Sequence, residues 1–119
     1  MTEEIRVVDE LTGGVKGSKV EMHELIPPEF EKALAEHYGK NCVEHGGKYE
    51  SGNWLKGYKW SLSYGAYRRH AGAFWRGEDI DADSGSHHLI AAIWHLVALY
   101  TYDKRRLGTD NRPECGEVS

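Results

Sequence analysis

HLIAAIWHLVALYTYDKRR, residues 88–106, decides the fold. Leu89, Ile93, Leu96 and Tyr100 recur at three- and four-residue spacing and form one helical face, while His88, Ala91, Ala92, His95 and Leu99 form an adjacent one. Lys104, Arg105 and Arg106 fall in the last turn, where the helix dipole favours cations. The pattern predicts a helix ending near Arg105, with Ser84 as its N-cap. The run is interrupted by His95 and is too short to span a bilayer.

Upstream, Leu62, Ala66, His70, Ala73 and Phe74 make one stripe of a second helix. That helix begins at an N-cap Ser61, or already at Lys59–Trp60, and stops at Gly77. A first helix opens at Pro27-Pro28, where a missing N–H costs nothing, and runs to about Val43 on the spacing of Phe30, Leu34 and Tyr38. Before it, "EIRVV" and "VKGSKVEMHEL" have strand-like composition around turn-rich "TGGVKGSK", which suits a short hairpin or an extended arm. The expectation is a mainly α protein: a small bundle of three principal helices over 27–107, an irregular or short β N-terminal arm over 1–26, and a flexible polar tail over 108–119.

The chain has 119 residues, enough for one domain, and a net charge of -4, which argues against duplex nucleic acid as a partner. Cys42 and Cys115 form no disulfide or metal pattern. The acidic start lacks the apolar segment of a signal peptide, so a soluble cytoplasmic protein with no membrane association is expected.

The chemistry concentrates in "GEDIDADSGSHH", residues 77–88. A calcium EF-hand is excluded, because the glycine falls one place late and Ile90 stands where a bidentate Glu should be. A helix start explains one or two acids but not four, and it leaves His70 unexplained. Standing equally with helix capping for the Glu78/Asp81 pair is a divalent-metal or phosphate site, with this E-x-x-D pair holding Mg2+ or Mn2+ and the imidazoles of His70, His88 and His95 flanking it. His88 and His95, seven residues apart, do not form a helical zinc pair. Among the aromatics, Trp54, Trp60 and Tyr64 read first as packing groups and second as surfaces for a stacked base, with Lys48 and Arg69 for phosphate contacts.

The order of motifs K-Y-x(3)-N-W, R-H and G-E-D-x-D-x-x-S-G-x-x-H-L resembles a phage-encoded family named for the N-terminal domain of dATP/dGTP diphosphohydrolase, from about Gly13 to the end of the third helix. That family looks related to all-helical MazG-type nucleoside triphosphate pyrophosphohydrolases, which hold magnesium on helical carboxylates. The resemblance implies a purine nucleotide ligand handled by Lys48, Tyr49, Asn53, Trp54, Trp60 and Arg69, metal on Glu78 and Asp81, and His70 and His88 as catalytic groups. Asp79, Ser84 and Gly85 also match the third motif. It implies a (deoxy)purine triphosphate pyrophosphohydrolase in the host cytoplasm. The alternative is a non-catalytic sponge for a host immune-signalling nucleotide. A homo-oligomer is expected, because a small chain makes deep pockets more readily between subunits. The chain's own E-x-x-E, Glu21 and Glu24, lies upstream of the helices.

Overall fold

The computed structural model describes residues 4–114; Cys115 and the extremities of the arm and tail lie outside the described residues. The chain is mainly α, with a short β arm. β1 (Ile5–Val8) and β2 (Val15–Ser18) form an antiparallel hairpin with Ile5 opposite Ser18 and Val8 opposite Val15. Its turn is held by Asp9, whose Oδ1 accepts from the amides of Leu11 and Thr12, both at 2.9 Å. Ile5, Val7, Val8 and Val15 are exposed. The radius of gyration is 19.0 Å, well above the roughly 13–14 Å of a compact chain of this length, because the arm stands off the helical body.

α1 (Pro28–Lys40) starts on Pro28 at a helix N-terminal position and turns Phe30, Ala33, Leu34, His37 and Tyr38 inward. It ends three residues short of the expected Val43, which opens a separate 3-10 turn, Val43–His45. α2 (Trp60–Trp75) and α3 (His88–Arg105) run antiparallel and make the most extensive contact in the fold. Trp60 at the start of α2 packs with Ala98 and Tyr102 near the end of α3, and Trp54, Tyr58, Trp94, Leu99 and Leu107 close around them. Tyr102 is fully buried, and its hydroxyl donates to the Trp54 carbonyl at 2.6 Å.

The sequence pattern offered two faces of α3, and the weaker one is buried. His88, Ala91, Ala92, Ala98 and Tyr102 face inward, whereas Leu89, Leu96 and Tyr100 are exposed. Small residues there let α2 approach closely, which a leucine face would not. On α2 the stripe is likewise shifted, since Ser63 is buried and Leu62 exposed.

The cap of α3 differs from expectation, whereas α2 begins at Trp60, one of the two starts expected. α3 is capped by His87, whose Nδ1 accepts from the Leu89 amide at 3.0 Å, and not by Ser84, which bonds to Asp81 instead. α2 starts at Trp60 after Lys59, with no cap from its own flank. The cap arrives from the far end of the chain: Asn111 Oδ1 accepts from the Ser61 amide at 3.0 Å, and the Thr109 carbonyl accepts from the Trp60 amide at 3.0 Å. Arg112 lies over the Trp60 ring at 5.0 Å. Residues 109–112, assigned to the tail on their polarity, are thus tied to the body by satisfying the first turn of α2.

This crossing depends on Gly108, whose φ is +71° and where a Cβ would collide with the Tyr58 carbonyl. Gly108→Ala is expected to cost about 2 kcal/mol or more. Urea unfolding would show this as a lower midpoint at unchanged slope, and an unmoved midpoint would mean that the crossing contributes nothing to stability.

Candidate functional site

The loop between α2 and α3 is pinned to both helices by its backbone. The Glu78 amide donates to the Ala73 carbonyl at 3.0 Å, and the His88 amide donates to the Asp79 carbonyl at 2.8 Å. Within the loop, the Asp81 amide donates to the Ser86 carbonyl at 2.8 Å and the Gly85 amide to the Asp81 carbonyl at 2.7 Å. The acids therefore stand on a fixed frame.

Three side chains converge there. His70 from α2, His88 from the first turn of α3 and Asp81 from the loop bring ligand-type atoms within 4.8 Å of one another. The Nδ1 atoms of His70 and His88 are 2.9 Å apart. His88 is 5% exposed, and its Nε2 lies 3.2 Å from Glu78 Oε1. Glu78 itself is mostly solvent-facing, so this contact joins a buried ring to an exposed carboxylate. Asp81 Oδ2 accepts from both the Ser84 amide (3.1 Å) and the Ser84 hydroxyl (2.7 Å).

The charge states follow from these surroundings. Burial raises the Asp81 carboxyl, but the hydrogen bonds from the Ser84 side chain and backbone outweigh it, so the group lies below its usual pKa and is ionised. Burial pulls the His70 imidazole down, with Asp81 opposing, and the ring is neutral at neutral pH. The centre thus presents nitrogen lone pairs and a negative charge together, the combination that binds a cation or accepts a proton from water.

A second tier of histidines backs this centre. His95 stacks on His70 with ring centroids 6.0 Å apart, and a hydrogen-bond chain runs from Tyr58 Oη to Ser63 Oγ (2.6 Å) to His95 Nδ1 (2.9 Å). His37 on α1 bonds Ser86 Oγ at 2.6 Å, and both residues are buried. Reasoning from sequence missed His37, although its spacing from Phe30, Ala33 and Leu34 puts it on the inward stripe of α1. It also missed Lys40, whose Nζ stands beside the acidic loop, 3.9 Å from where a Cβ on Gly85 would lie. Trp75, also missed, is 86% exposed at the end of α2, just ahead of that loop.

The other residues singled out from the sequence are dispersed. Arg69 is exposed on the turn that carries His70. Lys48 and Tyr49 sit in the loop after α1, held by the pairing of Tyr49 with the Asn41–Val43 backbone. Asn53 opens the 3-10 turn Asn53–Lys56. Trp54 lies among Tyr38, Trp94 and Tyr102, and Trp60 is buried with its Nε1 donating to the Leu107 carbonyl at 2.9 Å, so both act as core groups within the protomer. A hollow of about 470 Å3 is lined by Val43, Glu44, Glu50 and Ser51, none of which belongs to the His70–Asp81–His88 centre.

The model of the family described as dATP/dGTP diphosphohydrolase, N-terminal, matches residues 11–112, and so takes in both the helices and the loop. No curated protein and no solved structure matches the chain. No described helix is long and apolar enough to cross a membrane.

Burial, with repulsion from His70 and His37 once they are protonated and from Arg69, lowers the His95 pKa to about 4. The unfolded chain binds a proton at His95 that the folded chain refuses, so stability is full above roughly pH 6.5 and falls as the pH drops toward 4. His37 and His70 are lowered too and act in the same direction. Thermal melts of metal-free protein from pH 7 to 4.5 should lose on the order of 2–3 kcal/mol through His95. His95→Gln should flatten that slope, and an unchanged slope would remove His95 as its source.

Proposed function

Because the chain belongs to the dATP/dGTP diphosphohydrolase N-terminal family, we propose that it hydrolyses a purine deoxynucleoside triphosphate between the α and β phosphates, giving the monophosphate and pyrophosphate. The observation that carries the reading is the meeting of His70, Asp81 and His88 within 4.8 Å, on a loop fixed at both ends. Two imidazoles and a carboxylate are a donor set that fits a divalent cation, and of the Mg2+ and Mn2+ expected from the sequence, Mn2+ accepts imidazole nitrogen more readily. Such an ion, when bound, polarises a phosphate oxygen and lowers the pKa of the attacking water.

The chain's own residues do the rest. The ionised Asp81 and the neutral His70 keep the centre electron-rich without an unpaired buried charge. Arg69, next to His70, and Lys40, beside Gly85, offset the charge that builds on departing pyrophosphate, with Lys48 available farther along the chain. Trp75 offers a purine an exposed stacking face beside the loop.

The working unit in this reading is a homo-oligomer. A two-stranded hairpin is marginal alone, and this one exposes Ile5, Val7, Val8 and Val15. α3 exposes Leu89, Leu96 and Tyr100 in the same chain. Light scattering should return a mass that is a multiple of 13.5 kDa, and a monomer at micromolar concentration would end this part of the reading.

Incubation with dATP or dGTP and Mn2+ should yield monophosphate and pyrophosphate by chromatography. Asp81→Asn should lower kcat by roughly 100-fold while leaving the unfolding transition cooperative. Intact nucleotide released on heating, with no products, would replace hydrolysis by the sponge. Neither products nor retained nucleotide would refute both.

A further inference from the structure

We infer that His70 Nδ1, His88 Nδ1 and one oxygen of Asp81 are the direct ligands of a first-row transition-metal ion, and that Glu78 is not a ligand but the group that aims His88. The inference deepens the proposed function and rests on the same centre, and it reassigns the labour there. The E-x-x-D spacing had given the ion to Glu78 and Asp81.

Nitrogens bound to one ion at about 2.1 Å and at right angles stand about 3.0 Å apart. The two Nδ1 atoms here are 2.9 Å apart. Two imidazole nitrogens at this distance either share a proton in an N–H···N bond or turn their lone pairs to one side toward an ion set off the line between them, since two opposed lone pairs would repel.

Glu78 Oε1 stands 3.2 Å from His88 Nε2, so the carboxylate accepts the Nε2 proton and leaves the Nδ1 lone pair directed at His70. A carboxylate behind a histidine, on the ring nitrogen away from the ion, is the usual second support of a metal-bound imidazole. Glu78 thereby occupies the far side of the ring. Asp81 is different: both Ser84 bonds go to Oδ2 and fix the carboxylate, one oxygen of which lies within 4.8 Å of a ring nitrogen of each histidine.

The ligand set then selects the ion. Magnesium and calcium take oxygen ligands, whereas two imidazoles and a single carboxylate favour manganese, cobalt, nickel or zinc. With three protein ligands the ion keeps open positions for a water and a phosphate oxygen.

The test reads metal binding and not turnover. Chelator-stripped full-length protein is titrated calorimetrically with Co2+, Zn2+, Mn2+ and Mg2+, and its Cu2+ complex is examined by electron paramagnetic resonance. The expected result is one Co2+ or Zn2+ per chain, Mg2+ weaker by about tenfold or more, and nitrogen superhyperfine splitting from two imidazoles. His70→Gln, at a half-buried position, should reduce the splitting to one nitrogen, and Asp81→Asn should weaken Co2+ binding about tenfold or more with the splitting intact. Glu78→Ala should also weaken binding about tenfold while keeping both nitrogens. The absence of saturable Co2+ binding, or Mg2+ bound as tightly as Co2+, would overturn the inference in the wild-type protein alone. So would a two-nitrogen signal that survives His70→Gln. Failure of hydrolysis with this binding intact would sink the proposed reaction and spare the metal centre. Magnesium-driven hydrolysis without a nitrogen-ligated ion would do the reverse.

Discussion

Two helices can bring histidine nitrogens to 2.9 Å only if their backbones lie close together, and the close approach of α2 and α3 is the constraint on which the rest of this structure depends. The seam is built of small groups: Ser63 and Ala73 from α2, and Ala91, Ala92 and Ala98 from α3 are all buried. The largest buried side chains, Trp60 and Tyr102, lock the pair at one end, and His70 and His88 meet toward the other. A leucine at Ala91 or Ala92 would gain apolar area and push the helices apart, dispersing the centre. The core is therefore thin in aliphatic residues, and aromatic packing among Tyr38, Trp54, Trp94 and Tyr102 takes their place.

A seam lined with imidazoles has an electrostatic consequence. His37, His70 and His95 are all shifted toward the neutral form, chiefly by burial, and each protonation would raise the cost of the next. Serines rather than acids satisfy the inner ones, Ser86 at His37 and Ser63 at His95. The carboxylates enter only from the loop, on the solvent side, and each has a defined contact: Glu78 to His88 and Asp81 to Ser84. Negative charge is thus kept out of the core while still reaching its edge, which spares the fold the cost of a buried ion.

Much of this was legible in the residues and some was not. Helical spacing located all three helices, and turn composition located the hairpin, because both signals are local. The buried face of α3 was ambiguous, since periodicity gives two apolar faces and only the partner helix chooses between them. Trp54 and Trp60 illustrate the same limit: an indole suits a core as well as a nucleobase, and the sequence does not say which is nearer. The cap of α2 was illegible because Asn111 comes from 50 residues away. At the centre, the convergence of Asp81 with His70 and His88 followed from the acidic loop lying between two histidine-bearing helices. The contact of Glu78 with the Nε2 side of His88 did not, because E-x-x-D spacing describes distance along a chain and says nothing of which ring atom a carboxylate meets.

The facing Nδ1 atoms also decide how protons and ligands compete at this site. In the metal-free protein one proton can serve the pair, His70 donating to His88 while His88 donates onward to Glu78, and the contact is satisfied as a short relay. An ion held by both Nδ1 atoms would require His70 to carry its proton on Nε2, a change of tautomer with no net release, and its binding would weaken as the pH falls only where an imidazole becomes charged. Burial acts in the opposite sense. By disfavouring a charged imidazole at His70, it lowers the affinity of the proton against which a metal has to compete. The small-residue seam and the histidines behind it therefore do more than hold His70 in place: by burying its ring they keep the imidazole on the neutral side of its titration.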